Sequence, residues 1–317
     1  MIGNDIAVAI EFLNQNLPVA LPTETVYGLA ANALNEQAIT AIFKAKNRPF
    51  FDPLIIHVAN IKSAELYAYN LTGNALKLAQ IFWPGPLTLL LPKKDNIPYL
   101  VTSGSNYVAI RVPNQALTLN ILQQLNYPLA APSANPFGYI SPTNAMHVEE
   151  QLGNLIPYIL DGGECNVGIE STIVDCNEEI PKILRLGGLS ILEIENVLGI
   201  KPILNLNNNS NPNAPGQLDK HYSPTKPIII VESIEKYITT NKNYNIALLT
   251  FGKNEFNTQY TQYNLSENDN LDEAAKNLFN YLHLMDNSKC EYIVTQLLPK
   301  HGLGLAINDR LLRAAAK

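Results

Sequence analysis

Short apolar runs alternate with amphipathic stretches through the first two-thirds of the chain. The runs Pro18–Pro22, Leu54–Ala59, Leu87–Leu91, Tyr107–Val112, Pro128–Ala131, Ser171–Asp175 and Lys182–Leu186 are short enough to be strands. Between them, apolar positions recur at helical spacing near Asn35–Lys46, Ser63–Tyr69, Gly73–Phe82, Gln115–Leu125, Thr143–Leu152 and Ser190–Leu198. Such interleaving predicts α/β architecture without fixing the strand order. The pattern breaks at Asn205–Asn213, which reads NLNNNSNPN and leads into Ala214-Pro215-Gly216. So polar a run cannot bury enough apolar surface to fold alone, and it reads as a linker. Beyond it come strand patterns at Pro227–Val231, Asn245–Phe251 and Tyr292–Leu297, a long amphipathic helix over Leu271–Met285, and a helical stretch at Leu305–Ala316. The expected organisation is a first domain over 1–203, a linker over 204–224 and a smaller α/β domain over 225–317.

Composition narrows the function classes. Of 317 residues, 46% are hydrophobic and 16% charged, which suits a chain with a sizeable core. The net charge of −6 argues against a protein whose main task is gripping a nucleic-acid backbone, though a local basic pocket for a small anion remains compatible with it. Cys165, Cys176 and Cys290 are scattered, with no metal-ligand spacing, and read as reduced thiols. Asp5 and Glu11 interrupt the first apolar run, so it reads as an amphipathic helix and not a signal peptide. No run approaches the about 20 apolar residues of a membrane span. The expected location is the cytoplasm.

Four segments carry dense polar chemistry beside strand ends, where open α/β sheets place ligands. Pro22-Thr23-Glu24-Thr25-Val26-Tyr27-Gly28 reads either as a strand-to-helix turn with hydroxyl caps or as a ligand loop. In Lys44–His57, the lysines have a bland explanation at a helix C-terminus, but Arg48 precedes Pro49, where the helix has ended. Lys46 and Arg48 on a loop suit a polyphosphate. His57, inside an apolar strand, reads first as a satisfied core residue. In Ala130–Thr143, Ser133 and Asn135 follow a small-residue strand, and Ser141-Pro142 has the form of a helix N-cap. The fourth segment, Asp161 through Asp175, combines glycines with Glu170 and Ser171, and Arg185 follows shortly after. Arg111 is a charge in an apolar strand, so it must be paired or face a cleft. There is no phosphate-binding P-loop, no G-x-G-x-x-G, no nucleophile elbow and no metal-ligand cluster. What remains suits positioning of an anionic substrate.

Taken together, PTETVYGLA, KNRPFFDPLIIH, WPGPLTLLL, VAIRVP, APSANPFGYISPT, GIESTIVD, ILRLGG, Lys220-His221-Tyr222-Ser223-Pro224 and the C-terminal GLGLAINDRLLRAA resemble the YrdC-type threonylcarbamoyl-AMP synthase family in its long, two-domain form. The resemblance implies a twisted open α/β sheet enclosing a basic cavity, followed by a Rossmann-like domain. It implies that ATP (with Mg²⁺), L-threonine and bicarbonate are converted to threonylcarbamoyl-AMP and pyrophosphate for tRNA modification. The family's KxR–SxN signature falls on Lys46, Arg48, Ser133 and Asn135, with Lys46 and Arg48 as the catalytic cations. Positions matching the ATP site are Arg48, Asp52, Tyr107, Ser133, Asn135, Ser141, Arg185 and Tyr222. Those matching the threonine site are Thr25, His57, Arg111, Ala131 and Ser171. Asp52 stands where the family usually has Asn. The product would pass to a tRNA threonylcarbamoyl transferase, with tRNA itself a weak direct partner. The linker would act as a lid over the nucleotide. The rivals are a non-catalytic accessory protein binding tRNA or double-stranded RNA, and a carbamoyl-phosphate-using transferase.

Overall fold

The computed structural model describes residues 1–206, 221–241, 245–254, 256 and 259–316. Within these residues the first two-thirds of the chain builds one mixed sheet. Its strands are β1 (Ile2–Gly3), β2 (Val19–Leu21), β3 (Gly28–Asn32), β4 (Ile55–His57), β5 (Leu87–Pro92), β6 (Tyr107–Arg111), β7 (Leu129–Ala130), β8 (Tyr158–Leu160), β9 (Thr172–Asp175), β10 (Lys182–Arg185) and β11 (Ile203–Leu204). They lie in the order β1-β8-β2-β3-β7-β4-β6-β5-β9-β10-β11. β4 and β6 run parallel with His57 opposite Arg111, and β5 crosses antiparallel with Thr88 opposite the same Arg111. Three chemistry-bearing positions therefore meet at one level of the sheet.

The second unit is an all-parallel sheet of β12 (Ile228–Val231), β13 (Ile246–Thr250), β14 (Thr261–Asn264) and β15 (Tyr292–Gln296), ordered β12-β15-β13-β14. The helix Leu271–Asp286 carries Ala274, Ala275, Leu278, Phe279 and Leu282 on its buried side, at the spacing that gives a helix one apolar stripe. Parts of this unit press on loops and a helix of the first. Gly168 comes so near the helix that an added Cβ would lie 2.4 Å from Lys276 Cα. His283 stacks on His147 with ring centroids 4.0 Å apart. Tyr139 donates to Asp286, whose carboxylate also takes the Thr225 hydroxyl at 2.7 Å.

Three local expectations change. Thr23–Val26 is the loop of a hairpin, β2 to β3, and not a strand-to-helix turn. Ser141-Pro142 does not start a helix: that helix begins at Ala145, and the Asn144 side chain caps it by accepting from His147 N. The helical pattern at Ser63–Tyr69 shrinks to Ile61–Ala64, because Ala68 bridges Lys93 and Tyr69 N donates to Pro92 O, pulling this backbone onto the sheet edge. The linker expectation falls largely on residues 207–220, which lie outside the described residues. No helix among the described residues is long and apolar enough to cross a membrane.

Candidate active site

The helix Glu36–Lys46 ends at Asn47, whose left-handed backbone (φ 51°) turns the chain before Pro49. Arg48 is thereby placed on a loop, where its Nε donates to Asp52 O at 3.2 Å and its Nη2 to Pro53 O at 2.9 Å. Nη2 also meets the Asp52 carboxylate at 2.8 Å. Lys46, in the last helical turn, is buried and donates to the carbonyls of Ser133 and Asn135, both at 2.5 Å. The lysine of the signature thus fixes the main chain of the Ser133–Asn135 segment. Burial, and after it the neighbouring Arg48 charge, pushes the Lys46 ammonium well below its ordinary range.

Across the cavity, Arg111 leaves β6 with all of its fork engaged. Its Nε donates to Gly85 O at 3.2 Å, Nη1 to Thr25 Oγ1 at 2.8 Å, and Nη2 pairs with Glu24 Oε1 at 2.7 Å. The hairpin loop thus supplies both the counter-charge and a hydroxyl. Thr23 Oγ1 sits 2.9 Å from Thr25 Oγ1 and takes the backbone N–H groups of Thr25 and Val26, which holds the loop in shape. His57 lies beside Arg111, with Nδ1 buried and unpartnered. Burial, reinforced by the Arg111 charge, pushes its pKa down to about 3, so it is a neutral ring at pH 7.

Arg185, at the end of β10, donates from Nε and Nη2 to Ser171 O and from Nη2 to Ser171 Oγ at 3.0 Å. Ser171 in turn shares a 2.7 Å hydrogen bond with Thr88. Ser141 donates to Glu170 at 2.7 Å, and the other oxygen of Glu170 takes Nε and Nη2 of Arg310 at 3.2 and 3.1 Å. Burial alone would raise the Glu170 pKa, but Arg310 and Arg185 outweigh it and hold the carboxyl below its ordinary value. Arg310 comes from the C-terminal helix Gly304–Ala315 and is fully buried.

Thr25, Gly28, Arg48, His57, Arg111, Ala131, Ser133, Ser171, Arg185, His221 and Tyr222, with Thr23 and Glu170, line one cavity of about 50 Å³. The wall is close-packed at Gly28, where an added Cβ would lie 3.2 Å from Ala131 Cβ. Drug-sized ligands occupy roughly 300–1,000 Å³. His221 and Tyr222 form part of the cavity's wall. Tyr222 is 1% exposed, stacks on Phe279 at 5.3 Å and lies 5.5 Å from the Arg310 guanidinium.

Most of the residues singled out in the sequence therefore converge. Lys46, Asp52, Asn135 and Ser141 do not line the cavity; Lys46, Asp52 and Ser141 brace Ser133, Arg48 and Glu170, which do, while the Asn135 side chain donates to Pro136 O and Tyr139 O. Tyr107 is 42% exposed and also stays off the lining. The sequence reading missed Glu24, Thr23, Glu170, His221 and Arg310 as site components. Glu24 and Glu170 had a signal: each lies in a segment already marked for polar density, and each buried arginine demands a carboxylate.

Comparison with known proteins follows this geometry. Residues 11–187 match the sequence profile of the Sua5–YciO–YrdC family, which carries the description "Telomere recombination". The chain belongs to the Sua5–YciO–YrdC family. Residues 189–316 match the profile described as the C-terminal domain of threonylcarbamoyl-AMP synthase, so the two-domain form of the family is present. The chain is 40% identical to the threonylcarbamoyl-AMP synthase of Pyrococcus abyssi over 98% of its own length and 94% of the relative's. It is 39% identical to the Bacillus subtilis enzyme of the same name, covering 98% and 92%. The crystal structure of P. abyssi Sua5 complexed with L-threonine superposes with a TM-score of 0.92 at 38% identity, covering 99% of this chain and 97% of that one.

Proposed function

We infer that this chain is an L-threonylcarbamoyladenylate synthase, which makes threonylcarbamoyl-AMP and pyrophosphate from L-threonine, bicarbonate and ATP. The observation that carries this reading is the cavity itself: three buried arginines, Arg48, Arg111 and Arg185, ringed by hydroxyls and a neutral histidine, in a chain alike over nearly its full length to threonylcarbamoyl-AMP synthases. The P. abyssi complex with L-threonine supports the threonine half of the reading.

In this reading bicarbonate gives CO₂ and hydroxide, the threonine amine attacks the CO₂ carbon to form a carbamate, and the proton lost from the amine leaves with the hydroxide as water. A carbamate oxygen then attacks the α-phosphorus of ATP, the α–β bridge bond breaks, and pyrophosphate leaves with the electron pair. No side chain needs to become covalently attached. Arg111 binds the threonine carboxylate, Thr25 and Ser171 meet its polar groups, and His57 offers an uncharged partner. The neutral ring matters, because an imidazolium there would compete with Arg111 for the anion. Arg48 and Arg185 neutralise charge on the phosphates, and Lys46 keeps the Ser133–Asn135 wall in place so that the two anions are held in line. Mg²⁺ entering with ATP supplies further charge neutralisation. The cavity's size supports a closing role for His221–Tyr222, since ATP enters only if these residues give way. Such a cover would keep water from the mixed anhydride. The product then passes to a tRNA threonylcarbamoyl transferase in the cytoplasm. The deciding experiment is pyrophosphate release by the purified chain with ATP, threonine and bicarbonate together, and with each left out. Release that persists without threonine or without bicarbonate would reject the reading.

A further inference from the structure

Tyr222 is held in the left-handed region of the backbone (φ 62°), where a bulky residue does not settle unaided. It lines the cavity, so the stretch of chain that carries it must be fixed from outside. Two residues seven apart on the helix Leu271–Asp286 do this. Phe279 stacks on the Tyr222 ring at 5.3 Å, and Asp286 grips the chain just beyond it. Oδ1 of Asp286 accepts the Thr225 hydroxyl at 2.7 Å and Lys226 N at 2.9 Å, and Oδ2 accepts Thr225 N at 3.1 Å. Oδ2 also accepts the hydroxyl of Tyr139, which belongs to the first unit, at 2.5 Å.

Tyr139 leads to another wall of the cavity. Its carbonyl accepts Asn135 Nδ2 at 3.0 Å, and the Asn135 carbonyl accepts the Lys46 ammonium at 2.5 Å. Beside Tyr139, Gly138 O accepts Ser223 N at 2.8 Å. One carboxylate thus ties the stretch bearing Tyr222 to the loop that continues from Ser133–Asn135. We propose that Asp286 is a positioning residue for the reaction: it sets the register of the Tyr222 wall against the Ser133–Asn135 wall, so that a helix of the second unit decides whether the cavity is covered. Asp286 is itself off the cavity lining and acts only through these neighbours. The inference rests on the covering role that the proposed function gives to Tyr222.

Asp286→Asn in the full chain keeps the size of the side chain and removes one acceptor. Whichever way the amide turns, its NH₂ faces a backbone N–H, that of Thr225 or that of Lys226, and leaves it unpaired. The Lys226 ammonium stays on the Met285 and Ser288 carbonyls, so the helix end remains attached. Hydrogen exchange of the Ser223 N–H without substrates should then speed up about five- to a hundredfold, because the cost of one buried, unpaired N–H falls on the docked arrangement. Tyr139→Phe, which keeps the three bonds from Asp286 to Thr225 and Lys226, is the second variant if Asn disturbs folding, and it should speed the same amide. With ATP, threonine and bicarbonate, both variants should lower the ratio of intact threonylcarbamoyl-AMP to pyrophosphate, and neither should lower it further in a Tyr222→Ala background. Ser223 exchange at the native rate in both variants overturns the proposal, as does an equal loss with and without the Tyr222 ring, the mark of general bracing. Failure of the native chain to release pyrophosphate with all three substrates overturns the proposed function instead, and the exchange rates still decide the register.

Discussion

Replacing Arg310 by Met tests whether the C-terminal helix is part of the site or merely beside it. Arg310 is fully buried, gives Nε and Nη2 to Glu170, and places Nη1 on Leu186 O and Ala306 O. Arg310→Met leaves the Glu170 carboxylate buried with only the Ser141 hydroxyl and the more distant Arg185 charge, and breaking such a pair from one side costs about 3–5 kcal/mol. Glu170→Gln is milder, about 1–3 kcal/mol, because Arg310 keeps two carbonyls and Asp309. The double variant removes both buried charges, so its cost should be about 2 kcal/mol less than the sum of the singles. Urea unfolding of the four proteins gives the cycle. A structural interface alone would produce this coupling, so the second readout is the KM for ATP. Glu170 lines the cavity and accepts from Ser141, so both single variants disturb that wall, and both should raise the KM for ATP more than that for threonine. Additivity within about 0.5 kcal/mol would refute the pairing, and equal shifts in the two KM values would refute its link to the nucleotide.

Other outcomes follow from the same geometry. Arg111→Ala should weaken threonine binding by roughly ten- to a hundredfold, the loss of a charge-assisted pair, while ATP affinity changes little; equal loss of both would count against it. Tyr222→Ala should leave the fold intact yet lower the yield of intact threonylcarbamoyl-AMP relative to pyrophosphate, because water gains entry; an unchanged product-to-pyrophosphate ratio would remove the covering role. His57, His147 and His221 are held near a pKa of about 3, and His283 near about 4, each chiefly by burial. As pH falls below about 6.5, the unfolded chain takes up protons that the folded chain refuses, so stability drops through the window down to those folded values, by up to about 1.4 kcal/mol per pH unit for each ring. Urea midpoints at pH 7 and pH 5 that coincide would contradict this.

The sequence carried the α/β class and most of the cavity lining because both are local. Strand-length apolar runs announce strands, and polar residues just past them announce a ligand edge. Partnership across the fold was not local. Arg111 was marked as needing a partner or a cleft, and it has both, but Glu24 is far away in the chain and only strand pairing brings them together. The Ser141-Pro142 dipeptide satisfies every local rule for a helix start, yet Asn144 caps the helix, because the Ser141 hydroxyl finds Glu170 instead. The family resemblance implies Lys46 as a catalytic cation. Its contacts with the Ser133 and Asn135 carbonyls depend on where β7 delivers that loop, which no periodicity encodes. The short strands β1 and β11, each of two residues, offered no pattern long enough to read.

The arginines share one more property that bears on how the site works. Arg48 faces Asp52, Arg111 faces Glu24, and Glu170 lies between Arg310 and the charge of Arg185. Unpaired buried guanidinium groups would be costly, so the chain supplies its own anions. Substrate binding is then an exchange of anions and not a simple addition. Under the proposed assignment, the threonine carboxylate would share or displace Glu24 at Arg111, and the phosphates would share or displace Asp52 at Arg48. An exchange of this kind makes affinity modest and selectivity high, because only a ligand placing negative charge at both sites recovers what it displaces. Threonine alone or ATP alone recovers half. The two substrates should therefore favour each other's binding when the carbamate bridges them, and Glu24→Gln should weaken that mutual effect by freeing Arg111 in advance. Threonine titrations with and without α,β-methylene-ATP and bicarbonate, on the native chain and on Glu24→Gln, measure it directly, and an equal coupling in both proteins would show that the built-in anions are scaffolding and not competitors.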